Sequence, residues 1–294
     1  MKKNINATTV LDTNRRFHDE VEAGQYDNRM GVKFDAASRQ QMIGELEKVA
    51  GCPLPREGIV LDVAAGTGNL SVNLAATGWF RRVIAVDISR NSLEVARKNA
   101  HEINARITPL CSDMQPLPLK DNTIDLIVGC AFLHHLPDPV QFMKEIYRVL
   151  KPGCPFIIVG EPTHIGAMII NGAKTPLVFL NTLKRWITHR PEKSIPWKHH
   201  HIDVHCFTKK DTHLLVESFS AVRIITEGFF EPIISQSFLV PIRTQINPQS
   251  WLHSFFQKLS FLSKKIDSSF LGSLIPGFCR TTLKLSGKKP SSFT

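Results

Sequence analysis

Between Ile59 and Gly160 the chain lays down five short apolar runs: Ile59–Ala64, Arg82–Asp87, Arg106–Cys111, Ile124–Cys130 and Pro155–Gly160. They are rich in Val and Ile and read as continuous rather than alternating, which marks strands buried on both faces. Three of the intervals carry apolar residues at helical spacing: Gly66–Thr77 with Leu70, Leu74 and Ala75, Ser89–His101 with Leu93, Val95 and Ala96, and Asp138–Leu150 with Phe142, Met143, Ile146 and Val149. Strands alternating with helices predict an α/β fold, a largely parallel sheet with helices on both faces and right-handed crossovers. Ligands of such sheets bind beyond the carboxyl ends of the strands. Chemistry is therefore expected just after Val63, Val86, Cys111, Cys130 and Val159.

Beyond Glu161 the regularity changes. A helix is expected at about Lys209–Phe219, followed by strands at about Ala221–Phe229 and Ser237–Ile246 that would pair antiparallel at the sheet edge. This gives one domain over residues 1–247, with a lid segment at about 1–50 and an insertion at about 164–206, and a basic tail over 248–294. The tail holds seven Lys/Arg against one acid, Asp267, and so carries +6 of the net +10. Residues 251–275 read as one amphipathic helix, with Leu252, Phe255, Phe256, Leu259, Leu262, Ile266, Phe270 and Leu274 on a stripe and Lys258, Lys264 and Lys265 off it. Packing on the core or on a second subunit is one reading of that stripe; peripheral contact with an anionic membrane is the other. The final Ser286–Thr294 reads as a polar, unstructured end. With no apolar run of ~18 residues and no apolar stretch near the start, neither a spanning helix nor a leader is expected. The expected location is cytoplasmic, with or without membrane contact. None of the six cysteines forms a C-x-x-C pair, so free thiols in a reducing compartment are expected and no metal is signalled. Oligomeric state leaves no mark in the sequence.

The strongest local signal is Asp62-Val63-Ala64-Ala65-Gly66-Thr67-Gly68-Asn69, where a strand ends in a glycine bend and a helix opens. Glycine lets a backbone approach a ligand closely, and a helix N-terminus offers unpaired N–H donors. Twenty-five residues after Asp62, Asp87 puts a carboxylate at the next strand tip, placed to accept from ribose hydroxyls. Asp113 at the third tip can accept from an adenine amino group, with Met114 and Ile88 on either side of the ring. A dinucleotide fingerprint would need a third glycine where Ser71 stands. Three acids at three consecutive strand tips point instead to an adenosine ligand.

These motifs, together with Ile124 through Leu136, resemble the successive motifs of class I S-adenosylmethionine-dependent methyltransferases, in the manner of the small-molecule and quinone-type carbon and oxygen methyltransferases. The resemblance runs over about residues 17–163 and more weakly to about 246. It implies a Rossmann-like seven-stranded sheet of order 3-2-1-4-5-7-6 with strand seven antiparallel, and S-adenosyl-L-methionine as cofactor. It further implies that Asp62, Ala64, Gly66, Gly68 and Asn69 cradle the methionine part, Asp87 binds the ribose with Ile88 beside it, Asp113 and Met114 bind the adenine, and Cys130 lies near the methyl. Tyr26-Asp27 resembles the family's aromatic-acid pair that closes over the cofactor. Ala64 stands where the family usually has Gly.

Methyl transfer is an in-line displacement in which alignment does much of the work and a base serves only an acceptor that must lose a proton. His134 and His135, after the fourth strand, are candidates to touch the acceptor; packing against the cofactor is the alternative. In His199–Cys206, an extended chain would point His201, Asp203 and His205 the same way. Acid–base work in a lid, a metal set and a structural network all remain open for them. The expected function is methyl transfer to a small, hydrophobic acceptor, with carbon, oxygen and nitrogen undistinguished. A non-catalytic adenosine-cofactor scaffold or sensor is the rival from another class. Nucleic acid is disfavoured as substrate, because Cys130-Ala131-Phe132-Leu133 replaces the Asn/Asp-Pro-Pro-aromatic motif of base amino methyltransferases.

Overall fold

The computed structural model describes residues 6–173, 202–239 and 251–291. The expected position of His201 and most of the 164–206 insertion lie outside these residues. Strands β1 (Ile59–Val63), β2 (Arg82–Asp87), β3 (Thr108–Cys111), β4 (Leu126–Cys130), β5 (Pro155–Pro162), β6 (Ser220–Glu227) and β7 (Thr282–Lys288) form one sheet of order β3-β2-β1-β4-β5-β7-β6. The first five pair in parallel, with Val60 opposite Val83 and Leu126, and Asp62 opposite Ala85 and Val128. β7 runs antiparallel to β5: Gly153 donates to the Lys289 carbonyl and Lys289 to the Cys154 carbonyl, so the end of β7 lies beside the start of β5.

The expected strand at Ser237–Ile246 is not what closes the sheet. Residues Phe230–Ile234 are helical and Ser235–Leu239 form a π turn, while 240–246 lie outside the described residues. The seventh strand comes instead from Thr282–Lys288, assigned from sequence to the tail and its unstructured end. Its polar residues hid it. Lys284 is buried on Glu45, and the Ser286 hydroxyl donates to the Val49 carbonyl at 2.8 Å. Leu283 and Leu285 enter the core.

Helices α1 (Ala7–Phe17), α2 (Tyr26–Met30), α3 (Ala36–Ala50), α4 (Asn69–Ala75), α5 (Arg90–Glu102) and α6 (Pro139–Val149) precede or separate the early strands. Their starts follow ordinary capping rules. Asp35, Ser89 and Asp138 each accept from the backbone N–H three residues on, and Pro139 occupies the first helical position of α6. Leu46 and Val49 of α3 pack with Leu70 and Leu74 of α4 against Val60, Val83, Leu126 and Ile157. Burying such a cluster stabilises by about 2 kcal/mol per large side chain. Later helices are α7 (164–173), α8 (Lys209–Val216), α9 (Phe230–Ile234), α10 (Trp251–Asp267) and α11 (Phe270–Ser273).

The chain divides into two compact units. One comprises Met1–Glu161, His200–Ile225 and Lys284–Thr294; the other comprises Pro162–His199 and Thr226–Leu283. In the second unit, Asp267 at the end of α10 accepts from the N–H groups of Phe229, Phe230 and Glu231 and so caps α9. The helix expected over 251–275 breaks after Asp267. Among the described residues, no helix is long and apolar enough to cross a membrane.

Candidate active site

The strand order reverses between β1 and β4, where an open α/β sheet leaves a crevice at its carboxyl edge. The bend after β1 sits there, and two buried carboxylates hold it. Asp62 accepts from the Ser71 N–H at 2.8 Å, doing for α4 what an N-cap side chain would do, since the cap position is Gly68. Ser71, the residue in place of a third glycine, is thus bound through its backbone. Asp87 accepts from the Gly66 N–H at 2.7 Å through one oxygen and from the Ser89 N–H at 2.8 Å through the other. Burial pushes Asp62 up to about 7, with Ser71 pulling the other way, and Asp87 up to about 6, with the Ser89 and Gly66 N–H groups opposing.

Gly68 has φ +92, and a Cβ there would lie 2.6 Å from Val72, so only glycine fits. Gly66 has φ +53, and a Cβ there would meet nothing within 4 Å. That side of the bend is open to a ligand. Ala64 adopts φ +52, a left-handed conformation that explains why glycine is usual at its position. Ile88 is half-buried. Met114 is buried with φ +66, and Asp113 is exposed with its carboxylate accepting from the Gln115 N–H at 3.3 Å.

The N-terminal segment covers three of the strand-tip loops. Asp27 of α2 accepts from the Thr67 hydroxyl and from the Asn99 amide. Asp19 accepts from the Ser89 hydroxyl at 2.7 Å and the Asn91 N–H at 3.1 Å. Asn14 of α1 donates to the His135 carbonyl at 3.3 Å, and the His18 and His135 rings meet edge to face. Tyr26 is held in the same cover, with Arg29 over its ring and burial raising its phenol above the ordinary range. The Cys130 thiol is pushed up to about 12 by burial, helped by Glu161, and so is a neutral thiol at pH 7.

Glu161, at the end of β5 and fully buried, organises the loop after β4. It accepts from the N–H groups of Phe132, Leu133 and His134 and from His134 Nδ1 at 2.8 Å. Burial alone would raise Glu161 and lower His134. Their mutual attraction reverses both, leaving the carboxyl low and the imidazole raised. His135 Nδ1 lies 3.0 Å from the Ile202 carbonyl, which only accepts, so this nitrogen carries the proton. Burial and the neighbouring His134 bring His135 down to about 4; burial and His135 bring His18 down to about 3. Of three adjoining imidazoles, His134 is the one whose environment favours taking a proton.

Asp203 does not join His205 as the sequence spacing suggested. Its Oδ1 lies 3.3 Å from His135 Nδ1 and 3.9 Å from His134 Nε2. These three residues offer ligand atoms within 4.8 Å of one another. His205 turns its ring to the Pro137 carbonyl at 3.4 Å and stacks on Phe207, while its backbone N–H reaches the His134 carbonyl. Asp203 thus lies beside the imidazoles of the loop after β4 instead of beside His205, because residues 202–205 hydrogen-bond to that loop, while His201 lies outside the described residues.

Residues 61–158, which contain the bend, Asp87, Asp113 and the His134–His135 loop, match the model of the methyltransferase domain family. Over that third of its length the chain is similar to the methyltransferase domain family. The demethylmenaquinone methyltransferase of Oceanobacillus iheyensis is 33% identical over 110 residues, 36% of this chain and 46% of that protein. The malonyl-[acyl-carrier protein] O-methyltransferase of a Marinomonas species is 30% identical over 141 residues, 46% of this chain and 52% of that protein. The chain thus spans about half the length of the curated relatives it matches. Among solved structures, the [4+2]-cyclase SpnF superposes with a TM-score of 0.61 at 14% identity, covering 98% of this chain and 99% of that one. A Haemonchus contortus phosphoethanolamine N-methyltransferase 2, crystallised with S-adenosylhomocysteine, gives 0.60 at 18% identity over 94% and 60%. At such identities these two establish the fold alone.

At this site, sequence reasoning missed the roles of His18, Asp19 and Asn14 and undervalued Glu161. All act across long stretches of chain, and residues 1–33 carry no periodicity that would flag them. Phe17-His18-Asp19, polar residues beside an aromatic in an otherwise unpatterned stretch, was the one available hint.

Proposed function

We propose that the chain transfers a methyl group from S-adenosylmethionine to a small, hydrophobic acceptor, with His134 as the base. The observation that carries the donor half is the bend at Gly66, open on one side and tied to Asp87. Asp87 spends two of a carboxylate's roughly four lone-pair sites on backbone N–H groups, which leaves acceptors for ribose hydroxyls. Gly66, Gly68 and the start of α4 would hold the amino-acid part, with Ile88, Asp113 and Met114 at the adenine. When bound, the cofactor supplies an electrophilic methyl on a sulfonium. Everything else falls to the protein's own side chains.

Glu161 fixes the tautomer of His134 by taking its Nδ1–H, so that Nε2 presents a lone pair. An acceptor hydroxyl or acidic C–H set against Nε2 gives up its proton there, and its oxygen or carbon becomes the nucleophile. The cover formed by α1 and α2 excludes water while this happens. Asp203 faces the same imidazole and can receive the positive charge that builds on it. The quinone in the name of the Oceanobacillus relative favours a hydrophobic molecule carrying an acidic hydroxyl or C–H.

Calorimetry with S-adenosylmethionine, followed by measurement of S-adenosylhomocysteine formed on a panel of phenols, quinols and acyl thioesters, tests the proposal. Binding without turnover on any member of the panel would favour the scaffold reading. Absence of binding at saturating cofactor would remove both.

A further inference from the structure

The second unit has its amphipathic helix the wrong way round for a buried element. At 100° per residue, Trp251, Phe255, Lys258, Leu262 and Lys265 of α10 fall within an arc of about 80°. Every one of them is exposed. The inward side carries Ser260, bonded to Glu231 at 3.0 Å, buried Ser263, and Asp267 capping α9, beside half-buried Phe256 and Leu259. Phe261 is exposed next to the arc, with the Lys265 ammonium 4.7 Å from its ring centre. Phe270, Leu271, Leu274 and Phe278 continue the surface. These large apolar side chains, from Trp251 to Phe278, are between 52% and 77% exposed. The packing expected for the sequence stripe is therefore absent at Phe255, Leu262, Phe270 and Leu274. Eight large apolar side chains exposed along one stretch of chain mark a contact site.

We infer that this face of α10 and α11 docks on an anionic lipid surface. Charge selects the occupant. The stretch Trp251–Leu283 that carries the face holds Lys258, Lys264, Lys265 and Arg280. Over Trp251–Leu283 the one acid, Asp267, is spent on α9. Lysines set among aromatic rings are what a headgroup layer accommodates: rings and leucines enter the acyl boundary while the ammonium groups reach the phosphates. A second copy of the chain fits worse, because a twofold contact through this face would gather Lys258 and Lys265 of both copies into one interface with no acid among them. The inference does not depend on the methyl-transfer reading, and its test uses no turnover.

The test is co-sedimentation of the full chain with phosphatidylcholine vesicles, alone or with about 30 mol% phosphatidylserine. Binding is expected to the anionic vesicles, to be weak on the neutral ones, and to fall steeply as salt shortens the screening length. Each lysine near the surface contributes about fivefold, so Lys258→Glu with Lys265→Glu should weaken binding by more than about 30-fold. Phe255→Ser with Phe261→Ser should weaken it without altering its salt dependence. These residues face solvent, so the variants should keep the wild-type melting temperature and circular dichroism. Binding to neither vesicle, equal binding by wild type and both variants, or concentration-dependent dimerisation abolished by the same substitutions would overturn the inference.

Discussion

Asp62 and Asp87 each serve as backbone clamps under the glycine bend, and their burial has a measurable cost. A carboxyl whose folded pKa lies above its unfolded value favours the folded state most when protonated. Asp62's contribution is thus complete below about pH 4 and lost as pH rises toward 7. Asp62→Asn keeps an oxygen for the Ser71 N–H but cannot ionise. Its apo form should melt at a higher temperature than wild type at pH 8, by at most about 4 kcal/mol in stability, and the advantage should vanish at pH 4. Ala64→Gly removes the left-handed alanine and should raise stability by about 0.5–1 kcal/mol in denaturant titrations. Beside the proposed base His134, Glu161→Gln should lower kcat/KM about 100-fold or more. It should also move the acidic limb of the pH profile to lower pH, because His134 loses the partner that raises its pKa. An unshifted limb would assign Glu161 to loop structure alone. Asp62 was legible in the sequence because strand, bend and helix there occupy ten consecutive positions, and Asp87 because it ends the next apolar run. The Glu161–His134, Asp19–Ser89 and His135–Ile202 contacts span 27, 70 and 67 residues, and no local pattern announces such pairs.

At the level of elements, the early strands and helices declared themselves through continuous apolar runs and capping residues, and no boundary moved by more than three residues. β7 did not, because Thr282–Lys288 looks polar until Glu45 and the Val49 carbonyl of α3 are brought against it. The π turn at Ser235–Leu239 defeated the reading in the other direction, since an apolar stretch of that length fits strand or helix equally well. In the second unit, a single carboxylate holds the start of α9. Asp267→Ala strips three N–H groups of their acceptor and should cost about 1–2 kcal/mol locally. Hydrogen exchange at Phe229–Glu231 should accelerate about tenfold, with the amides of β1 and β2 unaffected.

Across the whole molecule, charge is segregated: seven of the ten net positive charges belong to residues 162–199 and 226–283, leaving the unit that contains the glycine bend close to balance. Sequence reading found the surplus but assigned it to a terminal tail, because nothing in the composition says that the chain returns to the sheet after 281. That return makes any truncation near residue 248 destructive. A chain ending at Arg280 should fail to give a cooperative thermal transition, since it lacks the strand between β5 and β6. The order of synthesis sharpens the point. β6 is complete some 55 residues before β7 emerges, and β5 some 120 residues before. At the ribosome's pace of about 5–20 residues per second, two neighbours-to-be wait several seconds with bare hydrogen-bonding edges. A nascent chain of this design is therefore a natural client for holdase chaperones, and its yield in a cell should respond to their supply more than to any gain in the stability of the finished fold.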